Sequence, residues 1–146
     1  MISLPRVLST TLVALITLAG SAHQLQAQTF KVIVNSALTA NDVTASALSK
    51  VFLKQTNKLP DGTSVTAVYQ SKNSSARAAF DKEILGKTVA GVETFWQQQI
   101  FSGKDVPPAV KNSDEDVVTF VKATPGGIGY VSAGATVTGV KVITVK

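Results

Sequence analysis

Along residues 28–146 the hydrophobic positions change period from block to block, and each change marks a new element. FKVIVN (30–35) is a short run of apolar and β-branched residues, the pattern of a buried strand rather than a half-exposed one. Behind Thr44, which suits a helix N-cap, Leu48, Val51 and Phe52 recur at the spacing of one helix face. Pro60–Asp61–Gly62 signals a turn, and SVTAVYQ (64–70) reads as a strand with Val65, Ala67 and Tyr69 on one side. A second helix is predicted where Ala76, Phe80 and Ile84 share a face at four-residue spacing, with Gly86 as its C-cap. A third helix, VAGVETFWQQQIF, carries Val92, Phe95, Trp96 and Ile100 on its apolar face and stops at Gly103 and Pro107–Pro108.

Ser113 with Asp116 three residues on resembles a capping box and starts a fourth helix, whose buried stripe is Val117, Phe120 and Val121. PGG (125–127) makes a turn, IGYVS follows as a strand, and the tail VTGVKVITVK is a last strand placed at a sheet edge by its spaced lysines. Helices interleaved with strands in this way exclude a bundle or a sandwich. They predict an α/β domain whose mixed sheet is flanked by helices.

Residues 1–27 read differently: Arg6 precedes the apolar run VLSTTLVALITLAG, and small residues offer cleavage after Ala22 or Ala27. This is the pattern of a secretory signal peptide, too short and too interrupted by Ser and Thr for a spanning helix. The expectation is a periplasmic protein, 28–146 forming one domain, with no membrane insertion after cleavage. The chain has no cysteine, so burial alone must hold that domain. Its net charge of +5 is spread over single basic residues, without the dense basic stripe that nucleic acid requires.

The only histidine, His23, lies in or just beyond the leader, which leaves no Ser-His-Asp or Cys-His system and no zinc set. The acidic cluster Asp114–Glu115–Asp116 sits in the first turn of a helix, where the helix dipole favours it. No nucleophile or base can be assembled, so no enzyme is expected, and no cofactor.

YQSKNSSARAAFDKEIL (69–85) is the segment with chemistry. A polar turn runs into a helix start that holds Ser74 and Ser75 beside Lys72 and Arg77. Two readings stand: Ser74 is an N-cap among solvated charges, or the unpaired amides of the first turn, with the hydroxyls and Lys72, hold an oxyanion. Arg77, inside the turn, either joins that site or points to solvent. ATPGGIGY lacks the Lys-Ser/Thr ending of a phosphate-binding P-loop, and its glycines fit a tight turn and close packing.

Taken in order, ALSKVFLKQTNKLPDGTSVTAVYQSKNSSARAAFDKEIL, FWQQQIFSGKDVPP and DEDVVTFVKATPGGIGYVS resemble the phosphate-type substrate-binding proteins of ABC transporters, over about Ala47 to Ser132. The most specific piece is TPGGIGYV, since in that family a near-identical P-G-A-I-G-Y-V follows a helix. The resemblance implies the periplasmic type II binding-protein fold, phosphate or sulfate as ligand, and an ABC transporter permease as partner. In the family an Arg, an Asp and a Ser-Gly-Thr hold the phosphate; by position these fall on Gln70, on Lys72, and on Ser74, Ser75 and Ala76. Only Ser74 is retained. Lys72 cannot accept a proton as the Asp does and suits a fully ionised anion. Family members close two lobes over the ligand, whereas 28–146 has room for one, so a second subunit would have to supply the other wall.

Overall fold

The structure is a computed structural model that describes residues 28–146; the predicted leader, 1–27, lies outside the described residues. Strand β1 (Phe30–Asn35) leads through β2 (Asp42–Val43) to helix α1 (Ala45–Phe52), then β3 (Thr66–Gln70) and α2 (Ser75–Phe80). A π-helical turn (Asp81–Leu85) extends α2, and α3 (Val89–Phe101), β4 (Ala109–Lys111), α4 (Asp114–Ala123), β5 (Gly127–Ser132) and β6 (Val140–Val145) complete the chain. The strands form one mixed sheet in the order β2-β6-β1-β5-β3-β4. β1 is antiparallel to both of its neighbours, while β5, β3 and β4 run parallel, as do β6 and β2. The carboxyl ends of β3 and β4 therefore open on the same side of the sheet, the side where α/β folds place ligands.

Both faces of the sheet are covered, which is why Val32, Ile33 and Val34 are apolar in succession rather than alternating with polar residues. On one face Phe30, Val32 and Val34 pack with Tyr69, Ile128 and Tyr130 beneath α1, α2 and α3. On the other, Ile33, Val68 and Val131 meet Val117 and Val121 of α4. That second contact depends on Gly129, where a Cβ would stand 2.8 Å from Val68 Cγ1 and 2.9 Å from Val117 Cγ1. Gly126 supplies the turn before β5 at φ 72°, and a side chain there would meet the Ser64 carbonyl oxygen at 2.5 Å.

The predicted helices and main strands are present, with Thr44, Ser74 and Ser113 as N-caps. Four details differ. The π-helical turn adds one residue to the repeat after Phe80, so Leu85 is buried and Ile84 only partly so. Ile100 was expected on the buried face of α3, yet it is 51% exposed. It lies in the last turn of the helix. β6 is not the outermost strand, because the short β2 pairs with its end at Asp42–Thr144 and Val43–Val145. Pro107–Pro108 does more than end a helix: it leads straight into β4, which pairs with β3 from Val68–Ala109 to Gln70–Lys111.

Candidate functional site

The turn between β3 and α2 is held by its own polar groups. Ser74 N donates to the Ser71 carbonyl (3.0 Å), and Ser74, extended at φ −77° and ψ 136°, caps the helix by accepting from Arg77 N at 3.4 Å. A hydroxyl has one proton and two lone pairs, so a capping Ser74 still has its O–H to donate. The amides of Ser75 and Ala76, the first two of the helix, have no acceptor among the described residues. Ser75 is exposed and Ala76 buried. The exposed Lys72 lies 4.0 Å from Glu93 of α3, a loose surface pair that leaves the ammonium free to turn to an anion.

Arg77 behaves unlike a surface cation. It is 4% exposed; its Nε donates to Asp81 Oδ2 at 2.6 Å, its Nη1 donates to the Gln70 carbonyl at 3.0 Å, and its guanidinium carbon stands 4.3 Å from the centre of the Tyr69 ring. A cation in the first turn of a helix opposes the helix dipole, and these contacts offset that cost. Asp81 is fully buried, and its other oxygen, Oδ1, has no partner among the described residues. Burial pushes its carboxyl above the usual range, against the pull of Arg77. The solvent-facing alternative for Arg77 is thereby excluded.

Gln70, where the family's arginine falls, is also committed within the protein. It is buried, donates through Nε2 to Asp114 Oδ1, and receives no exposure to the cleft; the same carboxylate oxygen accepts from Ser132 N at 3.0 Å. Asp114 thus ties the ends of β3 and β5 to the start of α4. Nothing local in the sequence signals a contact across 44 residues.

Beyond the ends of β3 and β4 lies a cavity of about 550 Å³, within the usual range for small-ligand pockets. Of the six sequence candidates, Lys72 and Arg77 line it. Ser74, Ser75 and Ala76 sit in the adjoining first turn, and Gln70 lies behind. The walls that sequence reading did not assign to a site are Trp96, Ile100, Pro107 and Val110. Trp96 is fixed by donating Nε1–H to Tyr69 Oη (3.4 Å), which in turn donates to the Phe52 carbonyl at 2.8 Å. Among the described residues no group of three or more His, Cys, Asp or Glu could hold a metal, and no helix is long and apolar enough to cross a membrane.

The tyrosines behind the site predict alkaline sensitivity. Burial is the main cause that pushes Tyr69 up to about 12, and it raises Tyr130 further. A folded-state value above the unfolded one means the folded chain holds the proton more tightly. The contribution is complete below pH 10 and is lost as pH rises from 10 through 12, at about 1.4 kcal/mol per unit for one tyrosine. Urea unfolding at pH 9 and pH 12 should show this fall, and Tyr69→Phe should make it shallower.

No protein-family model matches the sequence, and no curated protein matches it. Among solved structures, one described as a phosphate ABC transporter substrate-binding protein from Clostridium perfringens, with phosphate bound, superposes with a TM-score of 0.61 at 16% identity, covering 80% of this chain and 44% of that one. An ABC-type phosphate transport receptor from Vibrio cholerae gives 0.59 at 20% identity, covering 80% and 45%. PstS from Borrelia burgdorferi gives 0.62 at 16% identity, covering 81% and 47%. The chain has the fold of one part of these substrate-binding proteins, in agreement with the resemblance in its sequence. It spans less than half of their length.

Proposed function

We propose that the protein is a periplasmic solute-binding-like protein that takes up a small oxyanion such as phosphate or sulfate at the start of α2, weakly. The observation that carries this reading is the pair of amides without acceptors, Ser75 and Ala76, beside Lys72 and a cleft at the carboxyl ends of β3 and β4. In this reading the two amides and the hydroxyls of Ser74 and Ser75 donate to the anion, Lys72 supplies countercharge, and Arg77, fixed on the cavity wall, adds to it. Two of the fold's solved examples are phosphate-transport proteins by description, which favours an oxyanion and an ABC transporter permease as partner. A single wall leaves the anion open to water and salt, so each contact is worth little unless a second subunit closes over it. Calorimetry with phosphate and with sulfate is expected to give millimolar dissociation constants. Ser74→Ala should weaken binding several-fold and cost at most about 1 kcal/mol of stability, because the cap bond is long. Absence of heat at millimolar anion contradicts the proposal.

The alternative, an interaction or sensory module without ligand capture, draws on the exposed Phe101 (91%), Ile100 and Val106 at the end of α3 and beyond. Under that reading a specific protein partner is retained unchanged by substitutions at Lys72 and Ser74.

A further inference from the structure

The cavity beside the turn is built for more than a bare inorganic ion. A hydrated dianion prefers a polar shell, but here most of the exposed wall is hydrocarbon: Trp96, Ile100, Pro107 and Val110 line the cleft together with Lys72 and Arg77. Ile100 and Val110 are each 51% exposed, an unfavourable position for aliphatic side chains with nothing to cover them. The charged end is equally specific. Arg77 is 4% exposed and held by Asp81, the Gln70 carbonyl and the Tyr69 ring, so its guanidinium is fixed before any ligand arrives. Its Nη2 has no acceptor among the described residues, and the side chain lines the cavity. Glu93, also on the wall, stands 4.0 Å from Lys72, and Asp81 lies against Arg77, so the two cations are offset by two carboxylates. In a site whose cations are already offset, attraction grows only in proportion to the ligand's charge while the cost of drying the ligand grows with the square of that charge, which favours a monoanion over a dianion.

From this arrangement we propose that the cleft binds an amphipathic organic monocarboxylate, its carboxylate on Arg77 and Lys72 and its aliphatic or aromatic body against Trp96, Ile100, Pro107 and Val110. The inference rests on the reading that this cleft takes an anion, and it names the chemical class. A carboxylate oxygen can accept from the Nη2 of Arg77 while Lys72 supplies a second cation, and each methylene laid on the apolar wall and taken from water raises affinity by up to about fourfold.

Trp96 is the chain's single tryptophan, so its fluorescence reports on the cavity directly. The protein is titrated with acetate, hexanoate, hexanol and inorganic phosphate. Hexanoate should saturate the signal at least tenfold more tightly than acetate and than hexanol. Ile100→Gln, at a half-exposed position, should remove most of that advantage while moving the unfolding midpoint little. Hexanoate no tighter than acetate, or hexanol equal to hexanoate, overturns the inference. If phosphate saturates in that case, the oxyanion reading survives alone; if no probe binds, both fall. Hexanoate saturating while phosphate is silent supports the inference, and calorimetry then reads phosphate at the turn independently of Trp96.

Discussion

Replacing Arg77 with leucine should destabilise the protein by about 3–5 kcal/mol, the cost of leaving one member of a buried ion pair without its partner. The carboxylate of Asp81 is fully buried, has one oxygen without a partner among the described residues, and relies on Arg77 Nε at 2.6 Å for the other. With the guanidinium gone, Asp81 must fold as the neutral acid. Its folded-state affinity for a proton, already raised by burial, then increases further. The sign follows: the folded chain binds the proton more tightly than the unfolded chain, so stability of Arg77→Leu should be greatest below the ordinary carboxylate range and fall as pH rises through the shifted value. Urea unfolding of the variant between pH 4 and pH 8 checks both the size and the slope. The double substitution Arg77→Leu with Asp81→Leu should recover much of the loss, because two apolar groups leave no uncompensated charge.

Phe80→Ala carries the second large effect. The Phe80 ring stacks on Tyr130 at 3.9 Å and 6°, and stands 4.7 Å from Phe52 and 5.4 Å from Phe30. It is the meeting point of α2, α1 and the central strands β1 and β5. Removing it opens a cavity that rings fixed from three sides cannot close, and the expected cost is about 3–5 kcal/mol. Domains of this size are stable by only about 5–15 kcal/mol, so thermal unfolding of the variant should start many degrees lower. An unchanged midpoint would mean that the aromatic cluster does not hold the two layers together.

Sequence periodicity identified the elements that bury a face and missed those that do not. Leu48, Val51 and Phe52, or Val117 and Val121, recur because each helix lies on the sheet, and burial on both faces makes Val32, Ile33 and Val34 of β1 apolar in succession. β4 is AVK with its first two side chains exposed, and β2 has two residues, so neither leaves an alternating signal. The π-helical turn escaped because an inserted residue is a property of hydrogen bonding, visible only as the exchange of Ile84 for Leu85 in the core. At the site, the N-cap role of Ser74 followed from its place before a helical pattern. The burial of Arg77 did have a signal: Arg77 and Asp81 stand four apart, each directly after a core residue, Ala76 and Phe80. Gln70 and Asp114 had none, since the contact exists only once β3, β5 and α4 are assembled.

Nitrogen–proton correlation spectra of the protein titrated with phosphate test the central claim most directly, because they report on each amide separately. Saturating shifts at millimolar phosphate, concentrated on Ser75 and Ala76 and on their neighbours Asn73, Ser74 and Arg77, are the predicted result. Amides of that turn that stay fixed while exposed lysine-bearing segments drift without saturation would contradict it.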